Sequence, residues 1–97
     1  MKKTLVLAAL VAASVNVNAF DVKTKFAQTC GVCHTAGVAG APKAFDAAAW
    51  APRLKTGMPA LINTVKTGKG AMPPKGMCMD CTDDQYKQLI EHMAKAQ

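Results

Sequence analysis

Aromatic side chains are scarce: the 97 residues hold three Phe, one Trp and one Tyr. Acidic residues are few as well, six against 12 basic ones, and there are only two His. No stretch reaches the roughly 20 apolar residues that a membrane-spanning helix needs. There is no internal repeat, no long low-complexity tract and no convincing alternation of a β-strand. These gaps narrow the field. No segment reads as a membrane-spanning helix, and no basic-aromatic motif of the kind that grips nucleic acid is present. The five aromatics are Phe20, Phe26, Phe45, Trp50 and Tyr86, and much of the remaining apolar stock is alanine. So small a chain struggles to pack a dry core unaided. A large planar apolar cofactor would supply what is missing.

The first residues carry a different signal. Lys2 and Lys3 precede an unbroken apolar run, Leu5 to Ala13, and Val17-Asn18-Ala19 ends in a small residue. This is the layout of a secretory signal peptide, with cleavage expected before Phe20. The run of nine residues is too short for an uncleaved membrane anchor. The expected organisation is therefore a cleaved leader at 1–19 and a single domain at 20–97. Export would place that domain in a bacterial periplasm, where disulfides persist. Without Lys2 and Lys3, ten bases face six acids, a net of +4. Such a bias suits an acidic partner surface as readily as a merely soluble one.

The helical pattern suggests four pieces. Asp21 can cap a first helix reaching Cys33, with Val22, Phe26 and Cys30 on one face. A second is expected over Asp46 to Lys55, kinked or restarted at Pro52, which removes a backbone donor. A third runs from Pro59 to Thr67, with Gly68 just past its end. The fourth, Asp83 to Lys95, is the plainest. Thr82 and Gln85 have capping-box spacing, and Tyr86, Leu89, Ile90 and Met93 form one apolar stripe.

The chemistry concentrates in Cys30-Gly31-Val32-Cys33-His34. C-x-x-C-H is the attachment motif of c-type haem. On a helix, positions three and four apart share a face. Two sulfurs can then form thioethers with the haem vinyl groups, and His34 can reach the iron. A thiol redox pair or half of a zinc site also uses C-x-x-C, but neither requires the histidine. For the opposite side of the iron, a thioether is the ligand that raises the potential of cytochromes c. Met58, Met72, Met77, Met79 and Met93 are available. Met93 belongs to the core stripe. Met72 stands in Gly70-Ala71-Met72-Pro73-Pro74, a loop that two prolines stiffen, and is the expected ligand.

Further matches extend over nearly the whole expected domain. They are Phe26-x-x-x-Cys30, Gly40-Ala41-Pro42, Trp50-Ala51-Pro52-Arg53, Gly68-Lys69-Gly70-Ala71-Met72-Pro73-Pro74-Lys75-Gly76 and Cys78-x-x-Cys81. On these the sequence resembles the class I c-type cytochromes, specifically the cytochrome c5 group. The resemblance implies an all-α fold, a small class I cytochrome c with about four short helices around one covalently bound haem c. It implies that Pro42 offers its carbonyl to the His34 ring, that Trp50 lines the haem edge with its N–H near a propionate, and that Phe26 packs where the first and last helices cross. Arg53 is a second candidate for a propionate. It further implies a Cys78–Cys81 disulfide, which the compartment permits. A redox-active disulfide remains an alternative. Zinc held by all four cysteines is disfavoured, because 44 residues separate Cys33 from Cys78. His92 departs from the group, which usually carries an aromatic such as Tyr there.

Ligation by His34 and Met72 would leave iron no open position, so the expectation is an electron carrier rather than an enzyme, with no small-molecule substrate. Its partners would be membrane-bound or periplasmic redox proteins, docked transiently. Lys43, Lys69 and Lys75 flank the haem motif and Met72, placed to steer that docking.

Overall fold

A computed structural model describes residues 20–97. The expected leader at 1–19 lies outside the described residues. Five α-helices follow one another: α1 (Val22–Gln28), α2 (Gly31–His34), α3 (Ala47–Leu54), α4 (Met58–Thr67) and α5 (Asp83–Ala94). Short 3-10 turns lie at Val38–Gly40 and Pro74–Met77. Among the described residues there is no strand, only an isolated bridge between Lys69 and Met72.

Local chemistry sets the starts. Asp21 caps α1 by accepting from the Thr24 N–H at 3.3 Å, and Asp46 caps α3 through the Ala49 N–H at 3.2 Å. At α5 the capping box is complete. The Gln85 N–H donates to Thr82 Oγ1 at 3.1 Å and the Thr82 N–H to Gln85 Oε1 at 2.9 Å. Asp83 and Asp84 then lie in the first turn, where the helix dipole favours negative charge.

Two expectations need correction. The single helix expected over Asp21 to Cys33 is broken at Thr29, whose φ of −126° and ψ of −87° leave the helical region. Its hydroxyl donates back to the Lys25 carbonyl at 2.7 Å, a side-chain bond that competes with helix propagation. The chain restarts at Gly31, so five helices stand where four were expected. At Pro52 the opposite holds: α3 continues through it without a restart. Ala48, whose carbonyl loses its intrahelical donor there, faces water.

The core is small. Phe26, Trp50, Leu89, Ile90 and Met93 are buried together, and Tyr86 is buried beside them. The α5 stripe read from periodicity is thus the main wall. In contrast α4 contributes no fully buried residue. Leu61, Ile62 and Val65 are only half-buried against the cluster.

Helix α1 packs on α5, and Phe26 sits at that contact as expected. His92 takes the aromatic's place. Its ring lies edge-on to Phe26 and Phe45, at centroid distances of 5.3 and 5.1 Å. Burial pushes its pKa below the usual histidine value, and the positive charges of Lys95 and Lys23 add to that. Folding therefore disfavours the protonated ring. The stability this group contributes is complete above its unfolded pKa of about 6.5, and is lost as pH falls below that toward the depressed folded value. Thermal midpoints taken between about pH 8 and pH 5 should fall more steeply for the natural protein than for His92→Phe, which keeps the ring packing. Parallel curves would show that His92 does not carry the dependence.

Candidate functional site

The break at Thr29 serves the haem motif. It lets Cys30 become the residue that caps α2 and puts Cys33 and His34 on that short helix. The His34 N–H donates to the Cys30 carbonyl at 2.9 Å, so the motif is held by its own turn. Both thiols are free and half-buried. Burial raises the Cys30 thiol above its ordinary pKa, with a Thr29 hydrogen bond working weakly against that, so this sulfur stays neutral in neutral water.

His34 is 7% exposed. Its Nδ1 lies 2.8 Å from the Pro42 carbonyl oxygen. A carbonyl can only accept, so the ring proton sits on Nδ1 and the Nε2 lone pair is left for a metal. That is the contact the family resemblance implied. Two further anchors fix the same loop: the Ala44 N–H donates to the His34 carbonyl at 2.7 Å, and the Phe45 N–H to the Met93 carbonyl at 2.6 Å.

Trp50 sits against the imidazole, centroid to centroid 5.6 Å. Its indole N–H, expected near a propionate, instead donates to the Lys43 carbonyl at 2.9 Å. A buried indole donor needs a partner, and here the chain itself supplies one. Trp50 thus splints the 42–45 loop beneath His34. Arg53 is exposed, and its guanidinium folds back on α3 to the Ala49 carbonyl at 2.6 Å. The structure therefore gathers His34, Pro42, Lys43 and Trp50 into one cluster and leaves Arg53 on the surface.

Met72 is half-buried. Lys69 and Met72 exchange both backbone hydrogen bonds, at 2.9 and 3.0 Å, closing a tight turn around Gly70-Ala71. Two glycines make room for it. A β-carbon on Gly68, at φ +88°, would stand 2.9 Å from the Met72 carbonyl oxygen. One on Gly76, at φ +55°, would stand 3.0 Å from Met72 Cε. Gly68 demands a residue without a side chain for backbone conformation and for space alike, and Gly76 favours one for its backbone conformation and its closeness to Met72 Cε. Cys78 and Cys81 are joined as a disulfide with a Cα–Cα distance of 5.5 Å. Of the two C-x-x-C pairs, Cys78 and Cys81 are bonded to each other, and Cys30 and Cys33, followed by histidine, are not.

Sequence reasoning missed the Lys43 carbonyl, the two glycine clearances and a hydrogen bond from Tyr86 to the Cys78 carbonyl at 2.7 Å. The first and last depend on loops meeting helices, which no spacing announces. The glycines were visible as residues, though not as the floor under Met72.

The donor set fits a c-type haem: two free thiols, an imidazole with one nitrogen fixed and the other available, and a thioether on a rigid turn. The half-buried apolar face of α4 suits a flat apolar group as well.

Comparison with known proteins points the same way. A family model described as cytochrome C oxidase, cbb3-type, subunit III matches residues 18–93. Cytochrome c5 of Ectopseudomonas mendocina is 41% identical over 86% of this chain and 98% of its own length. Cytochrome c5 of Azotobacter vinelandii is 44% identical over 76% of this chain and 88% of its own. Among solved structures, a mono-haem ferrocytochrome c from Shewanella putrefaciens is 52% identical, with a TM-score of 0.71, covering 81% of this chain and 98% of that one. Another neighbour is the crystal structure of an electron transfer complex of nitrite reductase with cytochrome c. It is 42% identical, with a TM-score of 0.67, over 74% of this chain and 88% of that one. Sequence and helical architecture agree, and the chain belongs to the class I c-type cytochromes, in the cytochrome c5 group of monohaem electron carriers that hold haem c covalently.

Proposed function

We propose that the protein is a periplasmic shuttle for single electrons, with haem c joined to Cys30 and Cys33 and its iron held between His34 and Met72. The observation that carries this reading is the 2.8 Å contact between His34 Nδ1 and the Pro42 carbonyl. It fixes the tautomer and ring orientation, leaves only Nε2 for iron, and raises the basicity of that nitrogen. Trp50 keeps the ring from turning, because its own N–H is tied to the same loop.

Bound haem supplies a one-electron ferrous–ferric couple. Met72, on its stiffened turn, would supply the thioether ligand to the iron. Its soft, neutral sulfur favours the ferrous state and a high potential. With both positions filled no site remains for a substrate, which argues for a carrier and against an enzyme. Cys78 and Cys81, paired, fit an oxidising compartment. Among the described residues no helix is long and apolar enough to cross a membrane.

A relative's complex with nitrite reductase supports redox enzymes as partners, docked through a small transient face. Lys43, Lys69 and Lys75 are exposed on loops adjoining the site. Docking on an acidic partner should therefore slow as salt rises, on the order of tenfold between low and high ionic strength. Stopped-flow electron transfer measured over a salt series checks this. Rates indifferent to salt would remove the lysines from docking.

The deciding experiment is absorption spectroscopy of the purified, matured protein in both oxidation states, with a pyridine haemochrome assay. One haem per chain and a weak far-red ferric iron–sulfur band are expected. A haem-bearing protein without that band would exclude Met72 as the ligand.

A further inference from the structure

Cys78 ends the turn that follows Met72, and its residue is 1% exposed. Its carbonyl points inward and accepts the Tyr86 hydroxyl at 2.7 Å. Its other donor is the Cys81 N–H, at a long 3.4 Å. Tyr86 is itself 3% exposed, on the α5 stripe. Burial pushes its phenol above the ordinary tyrosine pKa, so the donor stays protonated across neutral pH.

The bond bears on Met72 through a short chain of contacts. The Cys78 N–H donates to the Lys75 carbonyl at 2.8 Å, and the Gly76 N–H to the Pro73 carbonyl at 3.0 Å. These bonds shape the turn that places Gly76 under Met72 Cε. Tyr86 is thus the hydrogen-bond tie between that turn and the core helix, beside the covalent link from Cys78 to Cys81 ahead of α5. Without its hydroxyl the buried Cys78 carbonyl keeps only the long contact, and a buried acceptor in that state gains by moving toward water. Residues 73–78 would move with it, and Met72 would lose its floor.

We infer that Tyr86 is a positioning residue for the axial thioether, its hydroxyl setting how readily Met72 leaves the iron. This rests on the reading of Met72 as ligand. The effect should be largest in the ferric state, where soft sulfur binds more weakly.

The test is titration of the ferric holoprotein with imidazole, which can bind only when Met72 has left. Tyr86→Phe keeps the ring and removes the donor, and its apparent imidazole affinity should rise about fivefold to tenfold, the worth of one hydrogen bond of this kind. Ile90→Val, in the same helix, costs comparable global stability but leaves the Cys78 carbonyl bonded, so its affinity should stay within about twofold of the natural protein. Tyr86 is the only tyrosine, so growth on fluorotyrosine substitutes this site alone with a stronger donor and should weaken imidazole binding. Affinity unchanged in Tyr86→Phe, or raised equally by Ile90→Val, overturns the inference. If Tyr86→Phe does not mature, unchanged affinity in the fluorotyrosine protein overturns it and weakened affinity supports it. A natural protein lacking the far-red band defeats the Met72 reading and this inference together, whereas an intact band with unresponsive variants defeats this inference alone.

Discussion

A Cys30→Ala/Cys33→Ala variant, produced alongside the natural sequence, is expected to emerge colourless, with the mass of the bare polypeptide and most of its helix lost. The argument lies in what the folded chain buries. Among the described residues, one cluster of five side chains, with Tyr86 and Cys78 beside it, makes up the buried apolar interior. Helix α4 adds none, and Leu61, Ile62 and Val65 remain half-covered. A group bound by the folded state alone stabilises that state by mass action, and a covalent tether makes the effect permanent. A domain of this length without its cofactor falls below what a core alone sustains. Circular dichroism at room temperature should show the helical signal reduced by more than about half, while mass spectrometry shows no added porphyrin. A colourless variant that stays helical and melts cooperatively would show that the polypeptide closes its own core.

Met72→Ala should leave the haem attached and change everything about its iron. Cys30, Cys33, His34 and the Pro42 contact are untouched, so colour and stoichiometry persist. The far-red ferric band should vanish, and the ferrous form should bind carbon monoxide rapidly at neutral pH. The reduction potential should fall by a few tenths of a volt, within the roughly 0.8 V that axial ligands command. Spectroelectrochemistry reads all three. A variant with unchanged band and potential would move the ligand elsewhere. Met93 is a poor substitute, 3% exposed within the core stripe, and Met79 is 69% exposed on the surface.

What the sequence made legible was local. Cys30, Cys33 and His34 share a face because three- and four-residue spacings do so on any helix. Asp21, Asp46 and Thr82 declare helix starts through side chains that reach only three residues. The α5 stripe is periodicity alone. What stayed hidden needs one part of the chain to meet another. Thr29 is the local exception: its hydroxyl finds the Lys25 carbonyl only four residues back, a choice that helix propensity does not reveal. Trp50 gives its indole N–H to the Lys43 carbonyl, an acceptor seven residues back on a loop that no spacing announces. His92 was visible as a departure from the family. Its place between Phe26 and Phe45 required the crossing of α1 and α5.

That crossing bears on the order in which the molecule is made. Residues 30–34 are made before α5, and the contacts of Phe26 and Phe45 with α5 must wait for it. Phe26 has no α5 to pack against, and the Phe45 N–H no Met93 carbonyl to reach, until α5 exists. Closing the loop from α1 to α5 costs more chain entropy than any contact within one helix does. The nascent polypeptide therefore makes its two thiols before the α1–α5 contact that completes the core can form.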